Sequence, residues 1–219
     1  MKSIQFTQLL VALGMMLLFP PNHGSAQESE RRMSWDESIK GEVSGDLDAA
    51  FNAVQDFLKY NGDRYLGNQR AGWLLYLKRD YEKAGQFYAK AQKASPAAVS
   101  PILGSANCLL ASKQMPAAAK AYADALKKDP NNYTANIRLA GINYDAKAYR
   151  VAATYFHRLE SIYPEDPVPA SGLAWCLYFQ GQRQQAAPLF QRVLTLNSQY
   201  PNAAEGLNLS LAGPEPKGK

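Results

Sequence analysis

Apolar and small residues recur along most of the chain at a helical spacing. In the segment 81–96, YEKAGQFYAKAQKASP, a small residue is followed four positions later by an aromatic residue and three positions after that by another small residue. This spacing places all three on one face of an α-helix. The arrangement returns in 115–130 and again in 149–164, each time 34 residues further along. The pattern predicts a series of repeated helical units.

The repeat contains four columns of core positions when the copies are aligned on Pro96, Pro130 and Pro164. One column of small residues lies on a first helix and three columns lie on a second helix. In chain order the columns are Gly72, Ala106, Ala140 and Ala174; Ala84, Ala118, Ala152 and Ala186; Tyr88, Tyr122, Phe156 and Phe190; and Ala91, Ala125, Leu159 and Val193. Each unit is therefore predicted to be a helix hairpin that buries its apolar face by stacking on its neighbours.

In period and in columns the chain resembles the tetratricopeptide repeat. The resemblance implies an all-α fold, a right-handed α-solenoid of stacked helix hairpins, with units at 65–98, 99–132, 133–166 and 167–200. The family has a tryptophan at the fourth position of each unit, where this chain has Asn68, Ile102, Asn136 and Ala170. Pro188 lies inside the last second helix, where its ring and missing N–H favour a kink.

The repeat pattern continues more loosely at both ends. Ala50, Val54 and Phe57 match the second-helix columns, which predicts an acidic leader and a degenerate amino-terminal repeat over 27–64. Ala204, Leu207 and Leu211 continue the first-helix columns, which predicts a capping helix over 201–212. The tail 213–219 lacks apolar residues and is predicted to be disordered.

Residues 1–26 have the features of a secretory signal peptide. Lys2 precedes an apolar run of eleven residues, 9–19, and small residues lead up to Ala26. The run is shorter than the roughly 20 residues of a membrane-spanning helix. We predict cleavage near Ala26, a periplasmic or secreted mature protein and no membrane span after cleavage. The alternative is an uncleaved anchor helix.

The residues that could carry chemistry are few. After cleavage near Ala26 the chain would hold one histidine, His157, and it has no zinc-protease, phosphate-loop or dinucleotide motif. Cys108 and Cys176 hold equivalent positions two units apart, too far for the roughly 7 Å that a disulfide allows. We therefore predict no enzyme, no cofactor and no metal site, with both cysteines buried and inert. A redox role for these thiols is the alternative.

Charge is distributed unevenly along the chain. Residues 27–64 carry five Lys and Arg against nine Asp and Glu, whereas 65–200 carry sixteen against eight. The basic residues are spread along the second helices, which is typical of a solvated outer face. Attraction to an anionic polymer is the alternative. We predict no nucleic-acid partner.

The family resemblance implies that ligands bind the concave surface formed by the first helices. The corresponding residues are Leu66, Gln69, Trp73, Tyr76 and Leu77; Ser100, Leu103, Asn107, Leu110 and Ala111; Thr134, Ile137, Gly141, Tyr144 and Asp145; and Val168, Ser171, Trp175, Tyr178 and Phe179. None of them is Lys or Arg, so the clamp with which some members bind a peptide carboxylate is absent. Six are aromatic, which suits an apolar peptide or helix.

The leading functional hypothesis is a non-catalytic adaptor outside the cytoplasm that binds a partner peptide or helix, for an envelope or secretion assembly. The alternative is a carbohydrate-associated protein that assists polysaccharide handling or export, with the rings as stacking platforms. The groove could also be filled by its own side chains or by the acidic leader. An exposed aromatic groove is compatible with self-association as well.

Overall fold

The computed structural model describes residues 23–60 and 63–212, and every regular element within them is an α-helix. The eleven helices are α1 (His23–Ser44), α2 (Leu47–Lys59), α3 (Arg64–Leu77), α4 (Tyr81–Ala94), α5 (Ser100–Ala111), α6 (Met115–Lys128), α7 (Tyr133–Asp145), α8 (Tyr149–Ile162), α9 (Pro167–Phe179), α10 (Arg183–Leu196) and α11 (Ala203–Leu211). The predicted all-α fold of stacked helix hairpins is confirmed. Residues 1–22 of the predicted signal peptide and the predicted tail 213–219 lie outside the described residues.

The chain divides into two compact units, residues 1–94 and 95–219. In the first unit each of the helices α1 to α4 packs on the next along the chain. In the second unit the same holds from α5 to α11, and α9 also contacts α7 and α11. Each unit is therefore built from hairpins that share their apolar faces, which a single hairpin could not bury by itself.

The predicted core columns of the second helices are confirmed. All twelve residues are buried, and none is more than 7% exposed. The aromatic members fit because glycine backbones lie against their rings. A Cβ placed on Gly172 would be 2.4 Å from Cε1 of Phe156, and one on Gly206 would be 2.4 Å from Cζ of Phe190. These two glycines therefore let the following hairpin approach the ring closely.

A left-handed residue ends the first helix of every hairpin. Its members are Gly45, Arg79, Lys113, Lys147 and Gly181, with φ of 82°, 63°, 60°, 58° and 77°. Around Arg79 the N–H of residue 79 donates to the Tyr76 carbonyl and the N–H of Asp80 to the Leu75 carbonyl, both at 2.9 Å. This is a Schellman motif, which satisfies the last carbonyls of a helix and reverses the chain. Its recurrence every 34 residues explains why all the hairpins turn alike.

Asn136 explains one departure from the family pattern. The side chain is fully buried, and its Nδ2 donates to the carbonyls of Pro130 at 3.0 Å and Asn132 at 2.9 Å. Asn132 in turn caps α7 by accepting from the N–H of Ala135 at 3.1 Å. Where the family has tryptophan, this unit thus uses an amide to hold the turn that precedes its first helix.

The capping helix exists, but its predicted buried face is wrong by about one residue. The buried positions of α11 are Ala203, Gly206 and Ser210, whereas Ala204 is exposed and Leu211 is 68% exposed. The reason is that α11 has no described helix after it, so only the side facing α9 and α10 is covered. The kink that Pro188 favours does not interrupt α10, which is continuous from Arg183 to Leu196.

Candidate partner-binding surface

The predicted groove residues differ widely in exposure. Leu66, Trp73 and Phe179 are 46%, 42% and 47% exposed, and Asp145 is exposed as well. Ser171 is buried and hydrogen-bonds to Tyr200, so it presents no group to a ligand. The rest are half-buried, namely Gln69, Tyr76, Leu77, Leu103, Asn107, Leu110, Ile137, Tyr144, Trp175 and Tyr178. The first helices therefore combine core packing with a limited accessible surface.

In the second unit the accessible surface centres on Phe179, at the end of α9. Its ring stacks on Tyr149 at 4.8 Å between centroids and on Trp175 at 5.7 Å, with interplanar angles of 19° and 26°. Tyr178 and Tyr144 meet it edge-on at 5.4 and 6.1 Å. We call these five residues the Phe179 cluster. Four rings thus hold Phe179 in place while almost half of its surface remains in solvent.

The Phe179 cluster is tied to the hydrophobic core through Trp175. The indole packs edge-on against the fully buried Phe190, with ring centroids 5.0 Å apart. Burial also raises the pKa of the Tyr144 hydroxyl, so this group stays neutral at physiological pH. The cluster is therefore an ordered, uncharged aromatic surface on a rigid base.

In the first unit a second aromatic surface is formed by Trp73, Tyr76 and Tyr81, which we call the Trp73 cluster. Trp73 stacks on Tyr76 at 5.9 Å, and Tyr76 packs on Tyr81 at 5.5 Å. The indole N–H of Trp73 donates to Glu42 at 2.7 Å, and the same carboxylate forms an ion pair with Arg70 at 2.8 Å. Because Glu42 belongs to α1, the acidic leader contacts this surface, and Trp73 nevertheless remains 42% exposed.

Sequence reasoning missed the residues that complete both clusters, Tyr81 and Tyr149. Each begins a second helix and packs against the tyrosine five positions earlier, on Tyr76 and Tyr144, at 5.5 Å in both cases. Arg183, at the equivalent position, lies over the ring of Tyr178 at 5.4 Å. The signal was present, since these residues are spaced by 34 or its multiple, but they precede the core columns and were not assigned to the groove.

Charge separates the two sides of the hairpins in the second unit. The first helices α5, α7 and α9 contain one basic and one acidic residue, Arg138 and Asp145. The second helices α6, α8 and α10 contain seven Lys and Arg against two Asp and Glu. The Phe179 cluster therefore lies on an almost uncharged surface, whereas the basic residues lie on the other helices.

The candidate catalytic groups have ordinary surroundings. His157 is exposed on α8. Cys108 and Cys176 are buried, as predicted, and burial raises the pKa of their thiols to about 11 and about 12. Within residues 23–60 and 63–212 no three His, Cys, Asp or Glu side chains are grouped so that they could hold a metal ion. Over the same residues no helix is long and apolar enough to cross a membrane.

Solved structures of similar fold cover most of the chain. MamA from Desulfovibrio magneticus RS-1 matches with a TM-score of 0.66 and 16% identity over 78% of this chain and 97% of that one. PilF of Pseudomonas aeruginosa matches with a TM-score of 0.66 and 15% identity over 84% and 82%. YrrB, described as a TPR protein with an unusual peptide-binding site, matches with a TM-score of 0.62 and 13% identity over 78% and 88%. At these identities the similarity concerns the fold alone. Among curated proteins none matches the chain significantly.

Family models place the chain more specifically. One model described as tetratricopeptide repeat matches residues 43–99 and 103–167, more than half of the chain, and a second of the same description matches 172–203. The matched segments include both aromatic clusters almost entirely. Proteins built from this repeat are typically non-catalytic scaffolds for protein–protein interaction. The chain belongs to the tetratricopeptide repeat family.

Proposed function

We propose that this protein is a non-catalytic adaptor outside the cytoplasm that binds an apolar peptide or helix of a partner protein at the Phe179 cluster, for an envelope or secretion assembly. The observation that carries the proposal is Phe179 itself. It is 47% exposed, yet four aromatic neighbours position it. Exposed aromatic residues on a rigid base supply much contact area at little entropic cost.

The charge distribution supports an apolar ligand. Because the first helices of the second unit are almost uncharged, a strongly acidic or basic segment would lose hydration there without gaining ion pairs. The peptide-binding site described for YrrB, whose fold is similar, is consistent with a peptide ligand. The location outside the cytoplasm rests on the signal-like pattern of residues 1–26.

The ring geometry favours an apolar side chain over a sugar. Sugars stack on the open face of an aromatic ring, but Tyr149 and Trp175 both stack on Phe179 at low interplanar angles. What remains accessible is therefore mainly the ring edge. An aliphatic or aromatic side chain can pack against such an edge from several directions.

The proposal is tested by selecting peptides from a random displayed library on the purified protein, alongside titration with neutral and acidic oligosaccharides. We expect enriched peptides with two or more large apolar residues. Substituting Phe179→Ala should weaken their binding by about tenfold or more, as for a central interface residue. Tyr149→Ala should weaken it as well, because the ring of Phe179 loses a stacking partner.

The matched control is Val151→Ala on α8, which removes an apolar side chain that is 43% exposed but lies on the basic helices. Peptide affinity should be unchanged in this variant. Selection without any enriched motif, or equal loss for Phe179→Ala and Val151→Ala, would contradict the proposal. Saturable binding of an oligosaccharide that Phe179→Ala abolishes would favour the carbohydrate alternative instead.

A further inference from the structure

The first helix carries an exposed stripe that no described helix covers. Its residues are Arg32, Met33, Asp36, Ile39, Lys40 and Val43, which we call the α1 stripe. At 100° per residue they occupy about a third of the helix circumference. The opposite face is the packed one, where Ser34, Ser38 and Gly41 are buried.

The α1 stripe is unusual because its apolar residues are so accessible. Met33, Ile39 and Val43 are 48%, 43% and 84% exposed. Asp36 and Lys40 lie between them, one turn apart, and neither forms an ion pair within the described part of the chain. The stripe thus presents three large apolar side chains and two charges of opposite sign.

We infer that the α1 stripe is the contact of a symmetric dimer, and that its occupant is the α1 stripe of a second copy of this chain. The argument is self-complementarity. When two α1 helices run antiparallel about a two-fold axis near Ser38, Asp36 of each copy faces Lys40 of the other. In the same register Met33 faces Val43, and the two Ile39 side chains meet near the axis. A single surface patch then matches itself, as a two-fold interface requires.

The charges also select the direction of the pairing. Parallel helices in register would place Asp36 against Asp36 and Lys40 against Lys40, which is repulsive at both positions. The antiparallel register makes both contacts attractive. Since one helix pair buries less than the roughly 1,600 Å² of a standard interface, the dimer is expected to be weak and to depend on concentration and salt.

The inference concerns α1 and does not depend on the proposed ligand of the Phe179 cluster. If both hold, each dimer presents two Phe179 clusters. Two binding surfaces in one particle raise the avidity for a partner that displays several copies of its peptide.

Sedimentation equilibrium of the purified protein over a wide range of concentration tests the dimer. We expect the native chain to pass reversibly from monomer to dimer. Asp36→Lys should raise the dissociation constant of the dimer by about tenfold or more, because two attractive contacts become repulsive. Adding Lys40→Asp restores both pairs with reversed sign, and the double variant should return to within about threefold of the native value.

Val43→Glu, which buries a charge in the dimer only, should also raise the dissociation constant by about tenfold or more. Val151→Glu on α8 is the control, since this valine is similarly exposed outside the α1 stripe. Circular dichroism checks that each variant keeps its helices. A native chain that stays monomeric at every concentration overturns the inference. So does a dimer that the double charge exchange weakens as much as the single one, or that Val151→Glu weakens as much as Val43→Glu.

Discussion

Gly172→Ala tests whether close approach between hairpins limits the size of the side chain at this position. Gly172 lies inside α9, where alanine is the better helix former by about 0.5–1 kcal/mol. Helix propensity alone therefore predicts a gain in stability. The added Cβ, however, would lie 2.4, 2.5 and 2.7 Å from three atoms of the Phe156 ring.

The magnitude follows from how far that ring can move. Carbon atoms in contact prefer about 3.5–4.0 Å, so the ring or the helix must shift by about 1 Å. Phe156 is only 7% exposed and packs in a cluster with Ala140, Ala152 and Leu173. Overpacking of such a site typically costs about 1–3 kcal/mol. After the propensity gain is subtracted, Gly172→Ala should lower the free energy of unfolding by about 1–2 kcal/mol.

Gly141→Ala is the matched control in the same unit. Gly141 is also in the interior of a first helix, α7, but a Cβ there would meet no heavy atom within 4 Å. This variant should gain about 0.5–1 kcal/mol. Urea unfolding followed by circular dichroism measures both changes as shifts of the midpoint, provided that the slope of the transition is unchanged.

The outcome that refutes the reasoning is a gain in stability for both variants. It would mean that the Phe156 ring relaxes at little cost and that close approach does not explain Gly172. A further check is the Phe156→Leu background, where a smaller side chain faces the new methyl group. The penalty of Gly172→Ala should fall there, which a double-mutant cycle reports as a coupling energy.

Three further changes have definite expected outcomes. Pro188→Ala should raise the free energy of unfolding by about 1–2 kcal/mol in urea titrations, because α10 regains an N–H donor and loses a ring clash; an unchanged midpoint would contradict this. Tyr133→Phe should lower it by about 1–2 kcal/mol, because the hydroxyl donates to the Asp166 carboxylate at 2.7 Å; a neutral result would show that this bond is not stabilising. The buried thiols of Cys108 and Cys176 have folded-state pKa values raised from 9.0 to about 11 and about 12, so the folded chain holds their protons more tightly than the unfolded chain. Their contribution is complete below about pH 9 and is lost as the pH rises toward these values. The native protein should therefore lose more stability above pH 9 than the Cys108→Ala/Cys176→Ala variant, and parallel pH profiles would contradict the assignment.

Much of the candidate surface could be predicted from the sequence, because period and helix geometry together decide which residues share a face. Trp73 and Phe179 were assigned to the first-helix surface on that basis, and both are among its exposed residues. The ring partners Tyr81 and Tyr149 were not, because they begin the second helix and reach the surface only where the hairpin turns back. Ser171 is the converse case, since it shares the periodic position yet is buried beside Tyr200.

The sequence by itself determined the period of 34 residues, the helical hairpin and the buried columns, since these depend on local spacing and on the need of each hairpin to cover an apolar face. Only the tertiary structure distinguished Gly172, whose missing side chain makes room for Phe156, from Gly141, which faces open space. It also decided which side of α11 is buried, because that depends on the absence of a following described helix rather than on the residues of α11. Periodicity specifies which positions are equivalent, whereas accessibility depends on which atoms of neighbouring helices occupy the space around them.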